Sequence, residues 1–229
     1  MGTRKAGCKH IYKVCMMPYD DLMNLLRSRR SVREFTTEPV NRDDVVRLIE
    51  AARWAPSNHN RQPWKFLVYD NRDEIRALAG RVEQHLAARL KALPAVAASH
   101  ADTLLKYATF FRDAPVLIVA THKRPVGLSA SLLEGLPNPA LVSGEPISVA
   151  MAVQNILLAA HALGLGACVL TGPLLVTRTL EEAIPLPDGS DLNCLIAVGH
   201  AARTPDAPRR KELAHLVEFR NPAGTFLSS

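Results

Sequence analysis

The chain has 229 residues, 48% of them hydrophobic and 22% charged, the balance of a globular protein with one large domain or two small ones. A net charge of +6 and a pI near 9.4 suit an anionic partner. Aromatics are only 5% and do not alternate with basic residues, which argues against nucleic acid.

In chain order, residues 1–17 read as a disordered lead. Met1 to Cys15 is basic without a continuous apolar core, so it does not read as a secretory signal. Ala6 stands where myristoylation needs Ser or Thr, and Met16-Met17 marks a candidate internal start. Residues 18–229 then read as a single domain. Asp20 to Arg29 carries Leu22, Met23, Leu25 and Leu26 at helical spacing, and the basic run follows it. Asn41 caps a second helix with Asp43 and Asp44 in its first turn, and Pro56 ends it. After the loop Ser57 to Pro63, Trp64 to Tyr69 has the branched and aromatic content of a strand.

Asn71 opens a third helix running toward Ala92, with Pro94 beyond it, and a fourth covers Ala101 to Phe111. Ala114 to Thr121 reads as a strand buried on both faces. The stretch 122–145, punctuated by Pro125, Gly127, Gly135 and Pro137, reads as a variable loop or lid. Ile147 to Leu163 is apolar but contains Ser148, Gln154, Asn155 and His161, so it predicts a buried core helix rather than a membrane span, stopped by Gly164 and Gly166. Ala167 to Leu170 predicts a strand, Thr179 to Ile184 a short helix, and Cys194 to Gly199 a last buried strand. The pattern lacks strict alternation of strand and helix and fits an α+β domain with helices on both faces of a sheet.

Three polar clusters interrupt this framework. Arg29, Arg30, Ser31 and Arg33 put three guanidiniums and a hydroxyl into five positions, a donor set matched to a phosphate; a solvated basic turn is the plainer alternative. The loop 56–64 holds Ser57, Asn60 and Gln62, whose amides both donate and accept, as a heterocycle edge requires. Pro63 should hold Gln62 extended. At Leu170-Thr171-Gly172 a strand ends where backbone N–H groups can face a ligand. No P-loop, no dinucleotide fingerprint and no nucleophile elbow is present, and the histidines are too scattered for a metal. Cys8, Cys15, Cys168 and Cys194 have neither disulfide nor zinc spacing, which points to a reducing cytoplasm.

Taken together, these motifs resemble the nitroreductase family of FMN-dependent NAD(P)H oxidoreductases. The likeness rests on Arg-Arg-Ser-Val-Arg at 29–33, Ala-Pro-Ser-Asn-His-Asn-Arg-Gln-Pro-Trp at 55–64 and Phe-Phe-Arg-Asp-Ala-Pro at 110–115. Val-Gln-Asn-Ile-Leu-Leu-Ala-Ala-His-Ala-Leu-Gly-Leu-Gly at 153–166 and Pro-Arg-Arg-Lys-Glu-Leu at 208–213 extend it. The resemblance implies a three-layer α-β-α fold with a mainly antiparallel sheet, in a homodimer with FMN at the interface. It implies FMN binding by Arg29, Arg30, Ser31 and Arg33 at the phosphate, by Ser57, Asn60 and Gln62 near the ring, by Leu170, Thr171 and Gly172 near N5, and by Arg209 and Arg210 (or Lys211) from the C-terminal stretch. Phe110 and Phe111 become candidate walls of the substrate pocket. It implies no catalytic side chain, since the flavin carries the chemistry, with NAD(P)H as reductant and a small electron-poor acceptor such as a nitroaromatic or quinone. Many relatives have an acidic residue where this chain has Thr171. Reductive dehalogenation or flavin fragmentation on the same fold, and a flavin-free basic nucleotide- or nucleic-acid-binding module, are the competing readings.

Overall fold

The computed structural model describes residues 17–92, 100–137 and 143–220. The proposed lead, apart from Met17, lies outside them, as do Cys8, Cys15, Pro94 and residues 138–142 of the proposed lid. The helices are α1 (Tyr19–Ser28), α2 (Arg42–Arg53), α3 (Arg72–Lys91), α4 (Ala101–Thr109), α5 (Leu128–Leu133), α6 (Gly144–Ala162) and α7 (Thr177–Ala183). The strands are β1 (Glu34–Phe35), β2 (Trp64–Tyr69), β3 (Val116–Lys123), β4 (Gly166–Leu170), β5 (Ser190–Gly199) and β6 (Ala201–Arg203).

Strands β2, β3, β5 and β4 form one antiparallel sheet in that order, while β1 and β6 pair separately. The central strands β3 and β5 are apolar on both faces, and their alternation divides the core in two. Val116, Ile118, Ala120, Ile196 and Val198 face α2 and α6; Leu117, Val119, Leu195 and Ala197 face α3, α4 and α7. The result is the expected three-layer α-β-α arrangement, with every pairing in the four-stranded sheet antiparallel.

Local chemistry sets the boundaries. The Asn41 side chain accepts the Asp43 N–H at 3.0 Å, and Asn71 accepts those of Asp73 and Glu74, so both predicted caps start their helices. The lid region is more ordered than its prolines and glycines predict: β3 runs on to Lys123, α5 occupies 128–133, and α6 begins at Gly144, three residues before the apolar run. The fourth helix stops at Thr109, and Phe110–Asp113 tightens into a 3-10 turn. No helix among the described residues is long and apolar enough to cross a membrane.

Helix α6 is apolar around most of its circumference, yet the fold covers it on one side only. Val149, Ala152, Val153, Ile156 and Ala160 are buried, whereas Ile147, Ala150 and Gln154 lie open, with Ile147 54% exposed. A helix of that composition belongs inside a protein. After β6 the chain runs from Thr204 to Arg220 almost entirely exposed, with Leu213, Leu216, Val217 and Phe219 uncovered.

Candidate functional site

Most of the predicted site residues fall into two groups at opposite edges of the sheet. The basic segment joins the β4 edge: Ser31 bridges Ala167, and the Val32 N–H donates to the Ala167 carbonyl at 3.2 Å. Val32 is buried, and Gly166 makes room for it, because a Cβ at 166 would lie 2.8 Å from the valine side chain. Buried Val32 therefore fixes its neighbours Ser31 and Arg33 at the sheet edge. The Arg29 and Arg33 charges converge on Cys168, whose thiol is pushed up by burial while Arg33, the Ser31 hydroxyl and Arg29 pull against that shift. Cys194, deeper in the core, is pushed up to about 12 by burial.

A cavity of about 250 Å³ opens beside this segment, between Ser31 and Arg33, the α4 residues Lys106 and Tyr107, the following Phe110, and Arg203 of β6. The Arg33 guanidinium stacks on the Tyr107 ring at 5.4 Å. Among the described residues, none of Arg29, Arg33, Lys106 or Arg203 forms an ion pair, so the cavity carries unneutralised positive charge with Glu34 as its one acidic neighbour. That is the electrostatic setting an anion requires. Thr171 and Gly172 follow at the far end of β4, about 13 Å along the strand from Ala167 at ~3.3 Å per residue. Leu170 contributes only backbone, since its side chain lies in the core.

Arg30 behaves differently from its neighbours. Its guanidinium turns back onto the carbonyls of Arg27 and Arg29, where it complements the C-terminal end of α1. Phe110 lines the basic cavity, but Phe111 is fully buried in the core and is no pocket wall. Arg209, Arg210 and Lys211 lie on the exposed tail. Lys106, Tyr107 and Arg203 were not expected at the site; only the fold brings α4 and β6 beside the basic segment.

The amide-rich loop sits at the β2 edge, three strand steps or roughly 14 Å across the sheet at ~4.8 Å per step. It enters level with His122 rather than Val116, about 20 Å further along at ~3.3 Å per residue. It docks on the start of α6: the Asn58 N–H donates to Ser148 Oγ at 3.2 Å, and a Cβ at Gly144 would meet the Asn58 side chain at 2.7 Å. The basic segment is tied to the other end of the same helix, where Ser28 Oγ meets His161 Nε2 at 2.7 Å. Ser148 and His161 are about 20 Å apart along α6 at ~1.5 Å per residue.

His59, Asn60 and Gln62 have φ of +50°, +53° and +47°, left-handed values at three non-glycine residues within four. Asn and His tolerate this region; Gln gains nothing local from it. Gln62 is thus not extended before Pro63, as its sequence context predicts. Its N–H donates to Ser57 Oγ at 3.0 Å and its side-chain amide to Asn60 Oδ1 at 3.3 Å, and these bonds within the loop override the preference. Such conformations cost roughly 1–3 kcal/mol each and persist only where the surroundings hold them. One restraint is Arg61, whose Nη1 lies 3.2 Å from Oε1 of the buried Glu145. Burial alone would raise Glu145, but the Ser143 hydroxyl, the backbone N–H of Glu145 and Arg61 outweigh it and hold the carboxyl below its ordinary value.

With both edges described, likeness to known proteins becomes informative. The model of the nitroreductase family matches residues 26–200, which span the basic segment, the amide loop and all four strands of the sheet. The chain belongs to the nitroreductase family. Within this family it is 32% identical to protein DrgA of Synechocystis over 195 residues, covering 83% of this chain and 88% of that one. It is also 32% identical to 5,6-dimethylbenzimidazole synthase of Rhodobacter capsulatus over 197 residues, covering 82% and 87%. A nitroreductase-like structure in complex with FMN, from Desulfovibrio desulfuricans, superposes with a TM-score of 0.62 at 30% identity, covering 90% of this chain and 99% of that one.

Proposed function

We propose that this protein is an FMN-dependent oxidoreductase that works as a homodimer, with NAD(P)H as reductant and a nitroaromatic, quinone or related electron-poor acceptor. The observation that carries the reading is the basic cavity at the β4 edge, whose unpaired cations fit a flavin phosphate. Arg29, Ser31 and Arg33 would hold that phosphate, and the backbone of Thr171 and Gly172 would face the ring. When bound, FMN would supply the redox chemistry, a two-electron exchange between NAD(P)H and the acceptor in a ping-pong sequence.

The separation of the two edges supports the dimer. Ser57, Asn60 and Gln62 stand on the opposite edge of one chain from Thr171 and Gly172, roughly 14 Å across the sheet and farther still from Ser31. That is too far for both groups to face one ring, whereas the loop of a second copy can complete the site. The open side of α6 and the apolar residues of the 204–220 tail are surfaces that such a pairing would cover, and the tail would carry Arg209 and Arg210 across. The family includes an iodotyrosine deiodinase from Thermotoga neapolitana and the synthase named above, so the acceptor is not set by the fold. Nothing at either edge favours those reactions over nitro or quinone reduction.

The purified protein should be yellow, lose its colour with NADH or NADPH in the absence of air, and regain it with a nitroaromatic or benzoquinone. It should sediment as a dimer. A colourless protein that cannot be reconstituted with FMN would defeat the proposal.

A further inference from the structure

The buried carboxylate of Glu145 has no part in the chemistry described so far. It is 5% exposed and sits in the first turn of α6, where it accepts from Ser143 Oγ and from Arg61 Nη1 at 3.2 Å. The other arm of Arg61 reaches Ser129 Oγ of α5 at 3.5 Å. Arg61 itself stands between Asn60 and Gln62, two of the three left-handed residues. A guanidinium anchored to a buried carboxylate fixes the residue that carries it, and here that residue divides a strained backbone. The other restraints on the loop are neutral hydrogen bonds: Asn58 N–H to Ser148, Gln62 N–H to Ser57, the Gln62 amide to Asn60 Oδ1, Asn60 N–H to the Ser57 carbonyl and Arg61 N–H to the Asn58 carbonyl. Among the described residues the Arg61–Glu145 contact is the one ion pair on the loop, and such charge-assisted bonds are about twice as strong as neutral ones.

We infer that Glu145 is a positioning residue, which through Arg61 holds Asn60 and Gln62 in the left-handed conformation that presents their amides to the flavin ring. The inference rests on the functional reading above only for what those amides face. The strain makes the device necessary: freed from Arg61, the loop would relax toward right-handed or extended backbone and turn both amides away. The contact to Ser129 also ties the loop to α5, so the lid and the flavin-facing amides share one side chain.

The test uses Glu145→Gln, Arg61→Met, Arg61→Lys and the double variant Arg61→Met/Glu145→Gln. In the flavin-free protein, backbone 13C shifts and HN–Hα couplings of Asn60 and Gln62 report φ directly. Both should leave their left-handed values in Glu145→Gln and Arg61→Met. With flavin, the Kd for FMN and for riboflavin should each rise about tenfold, leaving their ratio unchanged, because the ring edge and not the phosphate is affected. Arg61→Lys should recover most of the loss, and the double variant should bind within about twofold of Arg61→Met, as expected for two groups acting as one unit. Left-handed signals that persist in both single variants would overturn the inference, as would a loss confined to FMN. A wild-type protein that binds no flavin defeats the functional reading alone; the φ measurements then still decide the role of Glu145.

Discussion

On the proposed function, the two edges of the sheet would meet one flavin by opposite means. At the β4 edge the backbone is relaxed and recognition comes from charge: Arg29 and Arg33 without ion-pair partners among the described residues, beside a cavity that also gathers Lys106 and Arg203. At the β2 edge the recognising groups are neutral amides and the backbone is strained, with its charges withdrawn into the Arg61–Glu145 pair. The contrast teaches that a phosphate can be met by flexible, long-range electrostatics. The pattern of donors and acceptors on a ring edge needs amides fixed in place, and fixing them costs strain.

The largest effect should come from removing charge at the first edge. Arg29→Ala with Arg33→Ala should weaken FMN by roughly 3–6 kcal/mol, since each charge-assisted contact contributes about 1.5–3. Riboflavin affinity should change little, and fluorescence titration of both flavins would tell. Equal losses for the two flavins would erase the distinction between the edges.

Much of this arrangement was legible in the chain. β2 lies where the branched and aromatic run placed it, and both asparagine caps act as predicted, because these signals are local. β1 and β6 were not foreseen: two and three residues carry no periodicity, and they are strands only because Glu34 pairs with Arg203. The same long-range pairing hid Arg203 as a site residue. The left-handed backbone at 59–62 was invisible because glycine, its usual mark, is missing there. Arg30 was read with its neighbours because sequence shows residue type but not which way a guanidinium turns.

Two glycines allow a matched comparison of intermediate size. Gly166→Ala presses on Val32 and Gly144→Ala on Asn58, and overpacking of this kind costs about 1–3 kcal/mol. The first should lower the FMN-to-riboflavin affinity ratio and the second should leave it alone, while thermal unfolding reports a loss in both. If Gly144→Ala shifts the ratio as strongly as Gly166→Ala does, the edges are not independent.

Acidity should act on one edge alone. Glu145 is held below its ordinary value of 4.5, so the stability it contributes is fully present above that pH and is lost as the pH falls through its lower folded value. Stability of wild type and Glu145→Gln, followed by denaturant unfolding from pH 6 down, should therefore converge below about pH 4.5. Curves that stay parallel would remove the carboxylate from the account. The smallest effect is expected for Arg30→Ala: its guanidinium serves the end of α1, so FMN binding should change by no more than about 1 kcal/mol, and a loss equal to that of Arg33→Ala would put it back in the cluster.

Helix α6 has a consequence for how this protein can vary. One of its ends carries the amide loop and the other the basic segment, so its length is a measuring rod between two recognition surfaces. Inserting a single residue midway would turn one end against the other by about 100° and shift it by about 1.5 Å, misaligning both surfaces at once. The stretch between β3 and α6 meets the amide loop through Ser129 of α5, so among the described residues it can change length outside that contact while the rod stays fixed. On the proposed function, a change of acceptor made in this stretch would reach the groups proposed to hold the flavin mainly through that one contact.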